Sequence, residues 1–271
     1  MSTNNSSPIC TTCGTQYPSD MQLPVLCTIC DDDRQYVGEN GQTWTSVDEL
    51  KKNHSVSIKS INDNLYGLKV EPDFAIANRA ILLTYPGGNI LWDCIPLLDD
   101  ETIRFVRSVG GLKAIAFSHP HYYSNMNDWA AEFECPIYIH EADSEWITYP
   151  TEAVRLWKGD ELELWDGIRI IHAGGHFPGS CMLHVPWLSP KGTVLCGDSV
   201  NISPSKRHTA VMYSYPNHIL LSKTAFDAFD QKTGSLVFDC MYGAFDHQNL
   251  PGIAMEVFKN SMQRYRDSYS S

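Results

Sequence analysis

Residues 113–129 read KAIAFSHPHYYSNMNDW and place two histidines directly after a short apolar run. The run KAIAFS predicts a buried strand and NMNDWAAEFE predicts a helix, so His119 and His121 are expected where the strand ends. Pro120 fixes its own φ angle and biases His119 toward an extended conformation, in which alternate residues project to one side. We therefore expect the two imidazoles to reach one metal ion from a single loop.

Two later motifs add ligands of the same kind. His176 lies in GGHFPGS, residues 174–180, and Asp198 lies in LCGDS, residues 195–199, each at the end of a further predicted strand. Side chains at neighbouring strand ends can converge above one edge of a sheet. Three imidazoles with an open position for water are typical of a hydrolytic zinc site, because zinc lowers the pKa of bound water to ~7 and polarises a carbonyl.

In this order and in these strand contexts, HPHYYS, GGHFPGS and CGDS resemble the metal-binding motifs of the metallo-β-lactamase-fold hydrolases. GGHFPGS is especially similar to the motif of the glyoxalase II group of thioesterases. The resemblance covers about residues 54–271 and implies an α+β protein, an αββα sandwich with its site on one edge of two sheets. It also implies that His119, His121 and His176 are first-metal ligands and that Asp198 is the bridging or supporting carboxylate.

The second metal site of that family is degenerate in this sequence. The family loop usually reads His-x-His-x-Asp-His, whereas Tyr123 and Ser124 occupy its fifth and sixth places. A phenol, with a pKa near ~10, is a poor zinc ligand at neutral pH, so the second site is predicted to be absent or weak. The missing aspartate is the group usually credited with orienting the attacking water, and Asp198 either inherits that role or ligates the remaining metal. Tyr123 is a second catalytic candidate. His247, in YGAFDHQ, is either the family's last metal-ligating histidine or a surface residue.

Two pairs of cysteines stand near the N-terminus, separated by thirteen residues. Two CxxC knuckles at this distance predict a tetrahedral structural zinc site, which leaves no position open for catalysis. Two disulfides, or four unrelated cysteines, are the alternatives. The segment between the pairs could hardly build a core without a metal or a disulfide. The four predicted zinc ligands are Cys10, Cys13, Cys27 and Cys30.

The pattern of the chain divides it into a zinc-binding unit, residues 1–45, and a metallo-β-lactamase-like domain, residues 46–271. Ser46 is predicted to cap a short helix at this boundary, with Glu49 as its capping-box partner. Antiparallel hairpins come first in the large domain, and strand–helix alternation follows. This mixture suits two sheets with helices outside them. The segment NHILLSKTAFDAFDQ, residues 217–231, is predicted to be one helix.

Composition limits the location and the partners of the protein. The chain has 271 residues, 43% of them hydrophobic, with a formal net charge of −12. This acid excess argues against nucleic acid and anionic membranes as partners, because both repel a negatively charged protein. No apolar run approaches the roughly 18 residues of a membrane helix, and the N-terminus lacks the pattern of a secretory signal. We therefore expect a cytoplasmic protein with a small-molecule substrate.

The function predicted first is hydrolysis of a small ester, thioester or lactone by water activated on Zn²⁺ at the histidine site. Lys206 and Arg207, a few residues after Asp198, are candidates for binding a substrate carboxylate or belong to a solvated loop. Tyr213 and Tyr215, in VMYSYPNH, either line the pocket or pack. A serine esterase has little support, since the chain contains no G-x-S-x-G elbow.

Two other functions remain open from the sequence. The persulfide dioxygenases have a similar fold and hold one iron with two histidines and an aspartate, a triad that His119, His176 and Asp198 could supply to Fe²⁺. Alternatively, the chain is a non-catalytic metal-binding scaffold. The metal content of the protein and its oxygen consumption distinguish these classes.

Overall fold

The structure, a computed structural model, describes residues 7–270. The described chain begins with two strands, β1 (Pro8–Cys10) and β2 (Trp44–Ser46), and a one-turn helix, α1 (Val47–Leu50), follows at the predicted boundary. The two strands pair antiparallel. The Ser46 side chain accepts a hydrogen bond from the Glu49 amide at 3.3 Å, so the predicted cap is confirmed.

The first large sheet holds seven strands in chain order, and helices α2 and α3 interrupt its second half. Asp99 caps α2 as its position before DETIRF suggests, accepting from the Thr102 amide. The elements are β3 (Ser55–Ser60), β4 (Leu65–Glu71), β5 (Arg79–Leu83), β6 (Ile90–Trp92), α2 (Asp100–Ser108), β7 (Ala114–Ala116), α3 (Met126–Phe133), β8 (Ile137–His140) and β9 (Val154–Trp157).

The second half of the chain builds a six-stranded sheet and two small hairpins, with α4 and α5 outside the sheet. Its elements are β10 (Glu161–Glu163), β11 (Arg169–His172), β12 (Cys181–Val185), β13 (Thr193–Gly197), β14 (Asn201–Ile202), β15 (Thr209–Ala210), β16 (Met212–Ser214), β17 (Ile219–Leu220), α4 (Lys223–Thr233), β18 (Cys240–Gly243), β19 (Asn249–Leu250) and α5 (Ala254–Ser270). The sheet order is β10-β11-β12-β13-β18-β19, and the hairpins are β14-β15 and β16-β17.

Three hydrophobic layers hold the domain together. Trp92 and Leu83 of the first sheet pack against Leu183 and Leu195 of the second sheet, and all four are buried. On the outer face of the first sheet, α2 and α3 cover a second cluster. On the outer face of the second sheet, α4 and α5 cover a third cluster. The layers therefore stack as helix, sheet, sheet, helix, which is the αββα sandwich expected for this chain.

The helix predicted over residues 217–231 begins later than its composition suggested. Ile219 and Leu220 form β17, which pairs with β16, and Ser222 caps α4 at the Ala225 amide. Tertiary pairing with β16 overrides the helical pattern of this apolar start, since short apolar runs fit either element. No helix within residues 7–270 is long and apolar enough to cross a membrane.

Candidate metal centre and its cavity

Four side chains predicted from separate motifs meet at one edge of the sandwich. The histidines follow β7 and β11, and the aspartate follows β13. Their ligand atoms all lie within 4.8 Å of one another, and all four residues are buried. Within the described chain, the four-cysteine cluster is the only other such group of three or more His, Cys, Asp or Glu side chains. The convergent residues are His119, His121, His176 and Asp198.

The backbone brings His119 and His121 together by a turn and not by a continuous extended chain. His119 is extended, with φ −173° and ψ 171°, as Pro120 favours. The chain then enters a 3₁₀ turn, Pro120–Tyr122, in which proline is well tolerated. The two imidazole centroids lie 4.9 Å apart, so the predicted meeting of the rings is found but its local geometry differs.

Hydrogen bonds fix which nitrogen of two histidines faces the site. The Nδ1–H of His176 donates to the carbonyl oxygen of Tyr213 at 2.8 Å. The Nδ1 of His119 lies 2.9 Å from the Ser118 hydroxyl. That hydroxyl donates to the Asp93 carboxylate at 2.8 Å, so it accepts from His119. Both rings therefore carry their proton on Nδ1 and direct an Nε2 lone pair into the site.

This arrangement fits a bound cation. The Nε2 atoms of all three histidines are buried and have no hydrogen-bond partner among residues 7–270. Nε2 of His119 lies 3.6 Å from a carboxylate oxygen of Asp198, too far for a hydrogen bond and with acceptors on both sides. Burial lowers the pKa of each imidazole, to about 4 for His176, so the rings are neutral at pH 7. Facing acceptors of this kind are stabilised by a metal ion between them.

Asp93 and Ser118 support the site from behind, and the sequence analysis missed both. Asp93 follows β6 and accepts hydrogen bonds from the Ser118 amide at 2.7 Å and from its hydroxyl. Burial raises the pKa of Asp93 to about 8, and the bonds from Ser118 oppose that rise. A lone acid in the apolar run ILWDCI was the available signal. The hydrogen bonds that link His119 through Ser118 to Asp93 orient the imidazole so that its Nε2 points into the site.

Replacing Ser118 by alanine is expected to weaken metal binding about 10- to 100-fold, the usual effect of losing a group that orients a ligand. The variant removes only a hydroxyl, so the buried site keeps its shape. Competition with a chromophoric chelator measures the dissociation constant of zinc. Ser235→Ala, an exposed serine after α4, is the control. An unchanged constant in Ser118→Ala would show that the hydroxyl does not orient His119.

Neither residue at the degenerate second site lines the cavity at the candidate metal centre. Tyr123 lies in the hydrophobic core, where its ring packs edge-on to Phe117 with centroids 5.0 Å apart. Ser124 has a left-handed φ of 44° and a buried hydroxyl. Tyr122, which the sequence analysis passed over, lies against His119 with ring centroids 4.4 Å apart. Burial raises the pKa of Asp198 to about 6, and the Tyr122 phenol opposes that rise.

The remaining predicted site residues lie outside the convergent group. His247 is exposed and its ring stacks on Phe245. Lys206 donates to the carbonyl oxygens of His247 and Asn249, and Arg207 is exposed. The structure therefore does not place these cations at a substrate carboxylate.

Tyr213, predicted to line the pocket, contributes in a different way. Its carbonyl oxygen accepts the bond from His176, and its hydroxyl donates to Asp33 of the N-terminal unit. The side chain of Tyr215 lines the cavity instead. Its hydroxyl donates to the carbonyl oxygen of Asp198 at 2.9 Å. Strict alternation would place residues 213 and 215 on one side, but β16 ends at Ser214 and its pairing register shifts between Met212 and Ser214.

A cavity of ≈ 300 Å³ opens onto the centre. Its wall includes His121, His176 and Asp198, so a small molecule in the cavity reaches the metal ligands directly. A larger depression of ≈ 570 Å³ around Arg169 and Lys232 contains no convergent ligand set. The smaller cavity is therefore the candidate substrate site.

The four N-terminal cysteines form the second ligand group. Sγ of Cys10 lies 3.7 Å from Sγ of Cys30, and Sγ of Cys13 lies 3.7 Å from Sγ of Cys27. A tetrahedral ion with Zn–S bonds of about 2.3 Å requires sulfurs about 3.8 Å apart, so the spacing fits a metal. A disulfide would bring two sulfurs to about 2.05 Å. All nine cysteines are free thiols.

Hydrogen bonds from the surroundings reach two of these sulfurs. The Gln42 side-chain amide donates to Cys10 at 3.1 Å, and the Tyr17 hydroxyl donates to Cys27 at 3.4 Å. Donors around a sulfur stabilise the thiolate that a metal requires.

Solved structures with this fold are metallo-β-lactamases and similar proteins. A B3 metallo-β-lactamase with an active-site glutamic acid is 15% identical, covers 89% of this chain and 96% of its own, and aligns with a TM-score of 0.53. TMB-1 is 14% identical, covers 79% and 99%, and has a TM-score of 0.57. The DIM-1 metallo-beta-lactamase is 13% identical, covers 79% and 98%, and has a TM-score of 0.56. At these identities the likeness establishes the metallo-β-lactamase fold.

Sequence comparison adds a nearer relative. No protein-family model matches the chain. The uncharacterized protein YmaE of Bacillus subtilis (strain 168) is 40% identical over 242 residues, which is 88% of each chain. Identity at this level over this length establishes common descent. The chain belongs to the same family as YmaE and has the metallo-β-lactamase fold.

Proposed function

We propose that this protein is a mononuclear, metal-dependent hydrolase of a small ester, thioester or lactone. The observation that carries the proposal is the set of three neutral, unpartnered imidazole Nε2 atoms beside Asp198 at the wall of a cavity. The fold, which hydrolytic β-lactamases share, supports it as an analogy. The position of Tyr123 in the core supports a single catalytic metal.

Zn²⁺ is the metal we propose for both ligand groups. At the histidine site it would be held by the three imidazoles and Asp198, and it would supply Lewis-acid polarisation and an activated water. The thiolate set of the N-terminal unit suits a structural zinc ion, since four sulfur ligands leave no open position.

The chain's own residues provide the remaining chemistry. One carboxylate oxygen of Asp198 faces His119, and the other is buried without a partner among the described residues. That free oxygen is available to accept a proton from an attacking water. Asp93 and Ser118 hold His119 in place during turnover, and the Tyr213 carbonyl holds His176. The buried setting strengthens each of these electrostatic interactions.

Replacing Asp198 by asparagine keeps the shape of the side chain and removes its charge. We expect kcat to fall about 10²- to 10⁴-fold, the usual contribution of a general base, wherever the metal is retained. Steady-state hydrolysis of p-nitrophenyl butyrate, with the metal content of the same sample, measures this effect. Asp160→Asn is the control, because Asp160 is an exposed acid away from the centre. Full activity in Asp198→Asn would remove Asp198 from the reaction.

An oxygen-electrode experiment distinguishes hydrolysis from the iron-dependent alternative. We expect the zinc-loaded protein to hydrolyse esters under anaerobic conditions, since hydrolysis needs no oxidant. Oxygen uptake that requires ferrous iron together with His119, His176 and Asp198 would favour the dioxygenase-like function. A histidine site that binds no metal under any condition would leave the scaffold function.

A further inference from the structure

The N-terminal four-cysteine unit forms part of the wall of the metal-site cavity. Thr12 lies inside the first cysteine knuckle, and Gln35 and Tyr36 lie just after the second knuckle. All three line the same cavity as His121, His176 and Asp198. A substrate bound in this cavity therefore lies beside the N-terminal unit.

Arg34 anchors this segment to the metal site. Its Nε donates to the carbonyl oxygen of His176 at 2.7 Å. Its guanidinium carbon lies 4.2 Å from the ring centroid of Tyr213 and 4.5 Å from that of Phe177. Asp32 pairs with the other side of the guanidinium at 2.8 Å. The charge of Arg34 is therefore used in holding the segment and is not free for a substrate.

Backbone contacts fix the same segment onto the β16–β17 hairpin. The Ser214 hydroxyl donates to the carbonyl oxygen of Arg34 at 3.1 Å. The Asn217 side-chain amide donates to the carbonyl oxygens of Asp33 and Gln35, each at 2.9 Å. Because the main chain is held on both sides of residue 34, the side chains of Gln35 and Tyr36 have a defined direction.

A second set of contacts docks the unit on the opposite side of the site. The Gln16 amide nitrogen donates to the carbonyl oxygen of Ser124 at 3.1 Å, three residues after His121. The Gln16 side chain donates to Asp128 at 2.9 Å, and the Thr148 hydroxyl donates to the Gln16 carbonyl oxygen at 2.8 Å. The unit thus bridges the loop after β7 and the hairpin after β15.

The cavity wall combines polar and apolar side chains and, within residues 7–270, contains neither lysine nor arginine. Its polar side chains include Thr12, Gln35 and Asn201. The side-chain amide of Gln35 makes no hydrogen bond within the described residues, although the residue is only 7% exposed. The apolar side chains of the cavity wall include Ile76 and Phe245. An uncharged acyl group fits this lining, because its oxygen or nitrogen can form a hydrogen bond with the side-chain amide of Gln35.

We propose that Gln35 and Tyr36 determine specificity for an uncharged acyl substrate. Gln35 supplies a hydrogen bond to the substrate, and Tyr36 lies at the mouth of the cavity. This inference rests on the proposed hydrolase function. It gives the four-cysteine unit a role in recognition, because the metal-bound knuckles present the segment that faces the substrate.

The test compares hydrolysis of p-nitrophenyl butyrate with that of p-nitrophenyl hemisuccinate, which carries a carboxylate. The wild-type protein should prefer the butyrate. Gln35→Met should raise the KM for the butyrate about three- to tenfold with kcat retained, the effect of one lost hydrogen bond. Tyr36→Arg should shift the ratio of kcat/KM about two- to fivefold toward the hemisuccinate, since an exposed ion pair contributes modestly.

Met21→Arg is the matched control for Tyr36→Arg. Met21 lies in the same unit and is 49% exposed, compared with 54% for Tyr36, but it does not line the cavity. The metal content of each variant verifies that the four-cysteine unit is intact. Equal preference in Tyr36→Arg and Met21→Arg, together with an unchanged KM in Gln35→Met, would overturn the inference while the hydrolase function stands.

Failure of the hydrolase function gives a different result. If the wild-type protein hydrolyses neither ester, calorimetric titration with N-(4-nitrophenyl)butyramide measures binding by the cavity wall without hydrolysis. This compound is the amide counterpart of the butyrate ester. A weaker dissociation constant in Gln35→Met than in the wild-type protein would support the recognition role without the hydrolase function. Equal dissociation constants in the two proteins, or no binding to the wild-type protein, would overturn both the recognition role and the hydrolase function.

Discussion

His121→Ala and His176→Ala should each reduce turnover to background and remove the metal from the histidine site. Each substitution deletes one of three neutral imidazoles whose Nε2 atoms converge without another partner. A cavity of the size of one ring replaces the ligand, and no other described side chain among the groups that could hold a metal is near enough to substitute for it. The metal ion that would activate water is then lost.

Metal analysis of protein purified without added metal accompanies the activity assay. We expect about two ions per wild-type chain, one at each ligand group, and about one in either histidine variant. His208→Ala is the control, because His208 is exposed and belongs to neither group. A fully occupied dinuclear centre at the histidine site would contradict the mononuclear proposal. Normal turnover in His176→Ala would contradict the site itself.

Cys10→Ser or Cys27→Ser should release about one metal ion per chain and loosen residues 7–45. Binding of a structural zinc contributes about 10–16 kcal/mol in small zinc units, which is as large as the stability of many whole domains. The small buried cluster around Tyr17 and Ile29 does not compensate for that loss, because the unit has few other apolar side chains. Hydrogen exchange, read residue by residue, measures the loosening.

The same variants should also impair the histidine site, since the N-terminal unit lines its cavity and Arg34 bonds to the His176 carbonyl. We expect a raised KM with the histidine-site metal retained and the sandwich still folded. Cys240→Ser is the control, a half-buried cysteine on β18 outside the cluster. Unchanged metal content in both Cys10→Ser and Cys27→Ser would eliminate the four-cysteine metal site.

The layer order of the sandwich and both ligand groups could be predicted from local patterns. His119, His176 and Asp198 each follow an apolar run, and paired knuckles are recognisable from spacing alone. Local patterns succeeded here because a strand end restricts where its next residues can lie, and a CxxC turn brings two sulfurs together unaided. The start of α4 was misplaced because Ile219 and Leu220 pair with β16, and a short apolar run fits a strand as well as a helix.

The side chains that complete the site were determined by packing between distant segments. Asp93 meets Ser118 across 25 residues of chain, and Arg34 meets His176 across 142. The adjacent tyrosines in YYS lie in different environments because a 3₁₀ turn follows His119. Tyr122 lies beside Asp198, and Tyr123 lies in the hydrophobic core. Hydrophobic periodicity carries no information about such turns or about contacts at long separation.

The sequence by itself determined the fold of this protein and its two ligand groups: an αββα sandwich, one histidine–aspartate centre and one four-cysteine cluster. Only the tertiary structure decided that these two groups belong to one site. The knuckles present Gln35 and Tyr36 to the cavity because docking contacts on both sides of the centre hold the N-terminal unit there. Ligand motifs are local in the chain, whereas a cavity wall forms only where separate segments pack together.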